Sequence, residues 1–152
     1  MKAEELEATA YWHVTLERMQ VALHDLGTEE IASIRPDPES TTEHRVLVAT
    51  PLGIVDFHRT IEQRGEPVEL DRTLSFRLVP WDRIGPVELR GEVTKGFGQF
   101  NDQLGTTMTL ELPDLELQRE SNVGSDLAIV RSRSEILGFA LEVLKRRTGP
   151  SR

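Results

Sequence analysis

The chain has 152 residues, of which 38% are hydrophobic and 29% charged, and its net charge at pH 7 is −8. This balance suits a soluble globular chain long enough for one domain with its own core. The acidic surplus disfavours nucleic acid and anionic lipid as partners, since both need a basic surface. The absence of cysteine excludes disulfides, thiolate zinc sites and Cys nucleophiles.

No apolar run approaches the roughly 20 residues needed to span a bilayer. The opening MKAEELEATA is acidic and has neither the basic nor the apolar region of a signal peptide. A cytoplasmic location is therefore expected. Charge is unevenly spread: residues 1–40 carry nine acids against three bases, and residues 131–152 carry six bases against two acids. Cations at the end of a terminal helix favour its dipole, which is the ordinary reading of the basic end. Docking of that end onto a partner is the alternative.

In chain order, residues 3–26 are expected to form a helix. Trp12, Leu16, Met19, Leu23 and Leu26 repeat at spacings of four and three, Glu4, Glu5 and Glu7 suit the N-terminal dipole, and Gly27 stands where a C′ glycine belongs. The stripe either packs on the chain's own domain or forms a dimer seam. Two heptads are short for a free-standing coiled coil.

Glu30 to Arg35 is a short strand candidate closed by Pro36-Asp37-Pro38. Arg45 to Thr50 reads as a buried strand, Pro51-Leu52-Gly53 as a turn, and Gly53 to Ile61 as the returning strand of a hairpin. Along that strand Ile54, Asp56, His58 and Thr60 point one way, and Val55, Phe57 and Arg59 the other. Leu74, Phe76, Leu78 and Pro80 alternate with Thr73, Ser75, Arg77 and Val79 in a half-buried strand pattern. Pro80 to Ile84 is a corner, and Val87, Leu89 and Val93 continue as strand. Residues 95–105 are loop-like, and Thr107 to Leu112 and Leu115 to Arg119 are the last strands. Ser132-x-x-Glu135 is a capping box that opens a helix through Arg147, with Ile136, Leu137, Ala140, Leu141 and Leu144 on its inner face.

The fold class is thus α+β: about seven strands over residues 28–120, an N-terminal helix over 3–26 and a C-terminal helix over 132–147, within a single domain of residues 1–152. The words VLVATPLGIVDF and LVPWDRI, with the helix over 132–147, resemble the bacterial PH-like form of the pleckstrin-homology superfold across residues 28–147. The first holds a T-x-x-G-aliphatic tight turn between early strands, and the second an apolar-to-polar corner. The resemblance implies an antiparallel β-barrel or sandwich of about seven strands capped by the C-terminal helix. The N-terminal helix is extra to that plan, and the early hairpin lacks the basic cluster of the lipid-binding members. Another α+β fold, with helices on one face of an antiparallel sheet, is the rival.

His13, Glu17, Gln20 and His24 share a helix flank, but His13 and His24 stand roughly 16 Å apart along the axis, too far for one ion. A solvated flank with an i, i+4 His–Glu pair is expected there. Asp56 and His58, with Ser75 near, have no third group and no nucleophile elbow, so a cross-strand polar pair is the ordinary reading. Gly96-Phe97-Gly98 lacks the third glycine of a phosphate loop.

Together these features lead to a non-enzymatic protein-interaction or self-association module, with no cofactor and no metal. Its partner is another protein or a second copy, and a homodimer through the N-terminal helix is one form. The candidate contact residues are Trp12, Leu16, Met19, Leu23, Trp81, Phe97 and Phe100. The alternative is a small-molecule-binding or enzymatic domain using the open end of the barrel, with Asp56, His58 and Arg77 as the polar groups. A third reading, membrane-surface or nucleic-acid attachment through Lys145, Arg146 and Arg147, is opposed by the net charge.

Overall fold

The computed structural model describes residues 3–38, 40, 42–63, 69–94, 103–120 and 126–147. Its elements run α1 (Ala3–Asp25), β1 (Ala32–Ile34), β2 (Glu43–Ala49), β3 (Gly53–Gln63), β4 (Glu69–Pro80), a 3₁₀ turn (Trp81–Arg83), β5 (Val87–Thr94), β6 (Gln103–Leu112), β7 (Leu115–Glu120) and α2 (Asp126–Arg147). The α+β class and the order of seven strands between two helices match the sequence reading. The strands do not close into one barrel, however. They fall into a four-stranded sheet, β1-β2-β3-β4, and a three-stranded sheet, β5-β6-β7. The chain divides into two compact units, Met1–Val79 and Pro80–Arg152.

In the first unit, α1 ends as its sequence requires. Gly27 has φ +69°, its N–H donates to His24 O, and Thr28 N–H donates to Leu23 O, the bond pair of a Schellman motif. The apolar stripe of α1 lies on β2 and β3. Met19, Ala22 and Leu23 form a buried cluster with Val46, Val48, Val55 and Phe57, and Trp12, Leu16, Leu26 and Leu78 pack around it. The β2–β3 hairpin is antiparallel, with Val46 opposite Phe57 and Val48 opposite Val55. Thr50 organises the turn of this hairpin. Its hydroxyl donates to Gly53 O and accepts from the Leu52 and Gly53 N–H groups, so one buried side chain replaces several backbone bonds.

In the second unit, β6 pairs antiparallel with both β5 and β7, and α2 packs on all three strands. α2 begins at Asp126, six residues before the expected capping box. The stretch DLAIV contains no breaker, and an acid in the first turn suits the dipole, so the helix extends N-terminally past Ser132. The inner face of α2 is also rotated from the expected one. Ile136, Phe139, Ala140 and Val143 are buried, while Leu141 is exposed. The apolar residues from Ile136 to Leu144 span roughly 200° of the helix circumference, wider than one stripe, and their spacing alone does not choose between the two. Gly85 meets β6 so closely that a Cβ there would lie 2.9 Å from both Glu111 Cβ and Glu111 O.

Candidate interaction surfaces

The first unit carries a polar layer beneath α1 that its strand pattern builds. Alternation along β2 puts His44 on the same face as Val46 and Val48, and alternation along β3 puts Arg59 beside Val55 and Phe57. Thr15 enters this face from α1, and all three side chains are buried. Arg59 Nη1 donates to Thr15 Oγ1 at 2.8 Å. The same oxygen is hydrogen-bonded to His44 Nδ1 at 2.5 Å. Burial, together with the positive charges of Arg35 and Arg59, lowers the His44 pKa from its ordinary 6.5 to about 4. The ring is therefore neutral at pH 7.

Trp12 seals one side of this layer. Its ring meets His44 edge-on, with centroids 5.4 Å apart, and the Arg35 guanidinium carbon sits 4.0 Å from the Trp12 centroid in cation–π geometry. Arg35 also donates to Ser40 O. The arrangement ties α1 to the end of β1, to β2 and to β3 through hydrogen bonds and ring contacts.

The opposite face of the same sheet carries exchanges between charged groups. Asp56 is buried and accepts from Arg45 Nε and Nη2 at 2.9 and 3.0 Å, and from Arg77 Nε at 3.3 Å. His58 Nε2 donates to Glu43 Oε1 at 2.8 Å, and the Thr60 and Thr73 hydroxyls are bonded to each other. The pattern Ile54, Asp56, His58, Thr60 on one face is thus realised, and its polar members pair across strands. Asp56 and Arg77 come together as an ion pair, while His58 turns to Glu43. Arg45, the principal partner of Asp56, is not singled out by the sequence. Its place one strand away follows only from the hairpin register, in which Arg45 is opposite His58.

The candidate contact residues separate on inspection. Met19 and Leu23 are buried in the core of their own unit, and Trp12 and Leu16 are half-buried against it. Of the two readings of this stripe, own-domain face or homodimer seam, the structure shows it packed in cis, because β2 and β3 supply the apolar face it needs. Trp81 lies half-buried on the 3₁₀ turn that opens the second unit. Phe97 and Phe100, with the Gly96–Gly98 loop, lie outside the described residues. His13 and Glu17 form an exposed i, i+4 contact at 3.1 Å.

A different apolar surface emerges on β4. This strand is twelve residues long and ends the four-stranded sheet, whereas β1 at the other edge has three residues. Leu78 packs against the cluster under α1, so strand alternation puts Leu74 and Phe76 on that same face. They are nevertheless 45% and 42% exposed. A helix about 10 Å across covers roughly two strands spaced about 4.8 Å apart. With α1 over β2 and β3, the outer part of β4 stays uncovered. The sequence showed the alternation but not where the helix would lie.

Among the described residues, no group of three or more His, Asp or Glu side chains is arranged to hold a metal ion, and no helix is long and apolar enough to cross a membrane. No protein-family model matches the chain, and neither a curated protein nor a solved structure matches it.

Proposed function

We propose that this chain is a non-enzymatic protein-interaction module that receives a partner's extended segment at the edge of β4. The observation that carries this reading is the exposure of Leu74 and Phe76 on a long terminal strand. An edge strand presents unpaired N–H and C=O groups, and natural sheets usually protect such edges with charges, bulges or short strands. Here the middle of the edge, Thr73 to Phe76, is exposed and carries no charge. Strand addition uses the backbone groups for affinity and alternate side chains for specificity, so Leu74 and Phe76 are the anchors.

The PH-like reading of the fold belongs to the same proposal. It is supported by four strands, then three strands, then a C-terminal helix over residues 28–147. The ligand-binding alternative has less support. The acceptors of Asp56 are occupied by Arg45 and Arg77, and the Nε2 of His58 is engaged by Glu43.

The test is a paired one. Wild-type chain and a Leu74→Lys/Phe76→Lys variant are cross-linked in extract of the source cells, and the cross-linked residues are mapped by mass spectrometry. A complex, with itself or with another protein, whose cross-links cluster on β4 and which the variant loses supports the reading. Absence of any complex, or a complex the variant retains, overturns it. Both positions are exposed, so the variant keeps its fold, which circular dichroism verifies.

A further inference from the structure

Beyond the β4 reading, and using no residue of that strand, we infer that the outer face of α2 is a self-association surface. It pairs antiparallel with α2 of a second copy, and Leu141 of each copy seats in the notch at Gly138 of the other.

Helical geometry defines this face. Ile136, Phe139, Ala140 and Val143 are buried on one side of α2. At about 100° per residue, Ser134, Gly138, Leu141 and Lys145 fall within about 60° of one another on the opposite side. All four are exposed, Leu141 at 58%. Leu137 and Leu144, both half-buried, continue the apolar surface beside Leu141.

Gly138 has no purpose within its own chain. A glycine inside a helix weakens it relative to alanine, because the backbone loses more freedom on ordering. A Cβ at this position would meet nothing within 4 Å, so no close contact in the fold requires the missing side chain. A neighbouring helix does have a use for it. Without a Cβ, two helix axes can approach to the lower end of the roughly 8–10 Å range of packed helices. The notch at Gly138 and the apolar knob at Leu141 stand three residues apart on one face. When two copies meet about a two-fold axis between these positions, each knob finds the other's notch.

Charge complementarity selects a second copy and sets its direction. About that axis, Ser134 of one copy is level with Lys145 of the other. Lys145 then lies beside the partner's Glu135, and symmetry makes the contact twice. Both side chains are exposed in the single chain. Neighbouring cations are engaged within the chain: Arg146 pairs with Glu142, and Arg147 Nε donates to Ile84 O. A parallel pair would set Lys145 beside Lys145 and Glu135 beside Glu135, with the two helix dipoles aligned. The antiparallel pair avoids all three conflicts. Because each copy uses the same patch, the contact closes as a dimer. It runs for only about three turns, so the dimer is small and its population depends on concentration.

The experiment compares wild type with Gly138→Leu by sedimentation at submillimolar concentration. The new side chain starts from open space and favours the helix, so the variant folds, which thermal unfolding verifies. The expected result is a wild-type dimer that Gly138→Leu weakens at least about tenfold. Direction is read from disulfides, since the chain has no cysteine of its own. Ser134→Cys and Lys145→Cys chains are mixed under oxidised glutathione, and the disulfide joining one to the other is expected to outweigh either self-disulfide. A monomeric wild type, or a dimer that Gly138→Leu leaves unchanged, overturns the inference. Self-disulfides in place of the mixed one overturn the antiparallel direction. A dimer retained by Gly138→Leu but lost in Leu74→Lys/Phe76→Lys supports strand addition at β4 and overturns pairing through α2, so the two readings fail separately.

Discussion

Arg59, on β3, donates its Nη1 hydrogen to the hydroxyl of Thr15 on α1, and both side chains are buried. The bond crosses from helix to sheet at the level of His44, whose Nδ1 is hydrogen-bonded to the same hydroxyl. The docking of α1 therefore depends on one hydroxyl that bonds to both side chains.

Thr15→Val keeps the shape of the side chain but removes the oxygen hydrogen-bonded to both Arg59 and His44. Loss of partners for buried polar groups costs about 2 kcal/mol. Unfolding followed by Trp12 fluorescence in a Trp81→Phe background reads this cost, because these are the chain's two tryptophans. Thr15→Ser, which keeps the hydroxyl, is expected to recover most of the loss. Equal loss in both variants would count against the bridge.

The lowered pKa of His44 makes the first unit acid-sensitive. Its folded-state pKa of about 4 lies below the ordinary 6.5, so the unfolded chain takes up the proton first. Stability is highest above pH 6.5, falls as pH drops from 6.5 to 4, and loses no more to this group below that. The total is about 3 kcal/mol from the shift in pKa. Denaturant unfolding between pH 7 and 5, above most carboxylate titration, isolates the effect. His44→Gln should flatten the profile in that range, and an unchanged slope would remove His44 as its cause.

Asp56→Ala leaves Arg45 and Arg77 without their shared buried carboxylate. Breaking a buried ion pair from one side costs about 3–5 kcal/mol when both groups are desolvated. Arg45 and Arg77 are partly exposed, so about 2 kcal/mol is expected here. The same Trp12 fluorescence measurement checks it. A variant of wild-type stability that had instead lost binding to a small molecule would restore the ligand reading of Asp56.

Gly27→Ala forces a side chain into the left-handed conformation at φ +69°, with nothing within 4 Å to relieve or worsen it. The expected cost is about 1 kcal/mol, purely from the backbone. Gly27→Asn, which tolerates that conformation better, should cost less. Thermal unfolding of the two variants gives the order, and a reversed order contradicts the Schellman cap.

Gly85→Ala tests a different mechanism in the second unit. The added methyl would sit 2.9 Å from Glu111 Cβ and from the Glu111 carbonyl oxygen, the one that accepts from Gly85 N–H at 2.8 Å. Separating the strand from that carbonyl loses the bond, and about 2 kcal/mol is expected for such crowding. Faster amide exchange over residues 87–94, with no change over residues 43–49, would be the signature.

The Thr50 turn, the Gly27 cap, the hairpin of Gly53 to Ile61 and the stripe from Trp12 to Leu26 were legible in the sequence. Each depends on interactions a few residues apart or on a period that the chain itself carries. An arginine on an apolar strand face was visible in the alternation of Val55, Phe57 and Arg59, whereas His44 fell one residue before the strand expected from Arg45 and joins the face of Val46 and Val48 only in the observed β2. Their significance was missed because their partner, Thr15, is 44 positions from Arg59 and 29 from His44.

By itself, then, the sequence determined the elements, their order, and which residues share a face, because backbone geometry and turn chemistry act locally. Tertiary structure alone decided which face of α2 turns inward, that the strands part into two sheets, and that α1 spends its stripe on β2 and β3. Those outcomes depend on which surfaces are close enough to exclude water from one another. Periodicity shows that Leu74 and Met19 both lie on apolar faces, but the reach of a single helix leaves one exposed and buries the other.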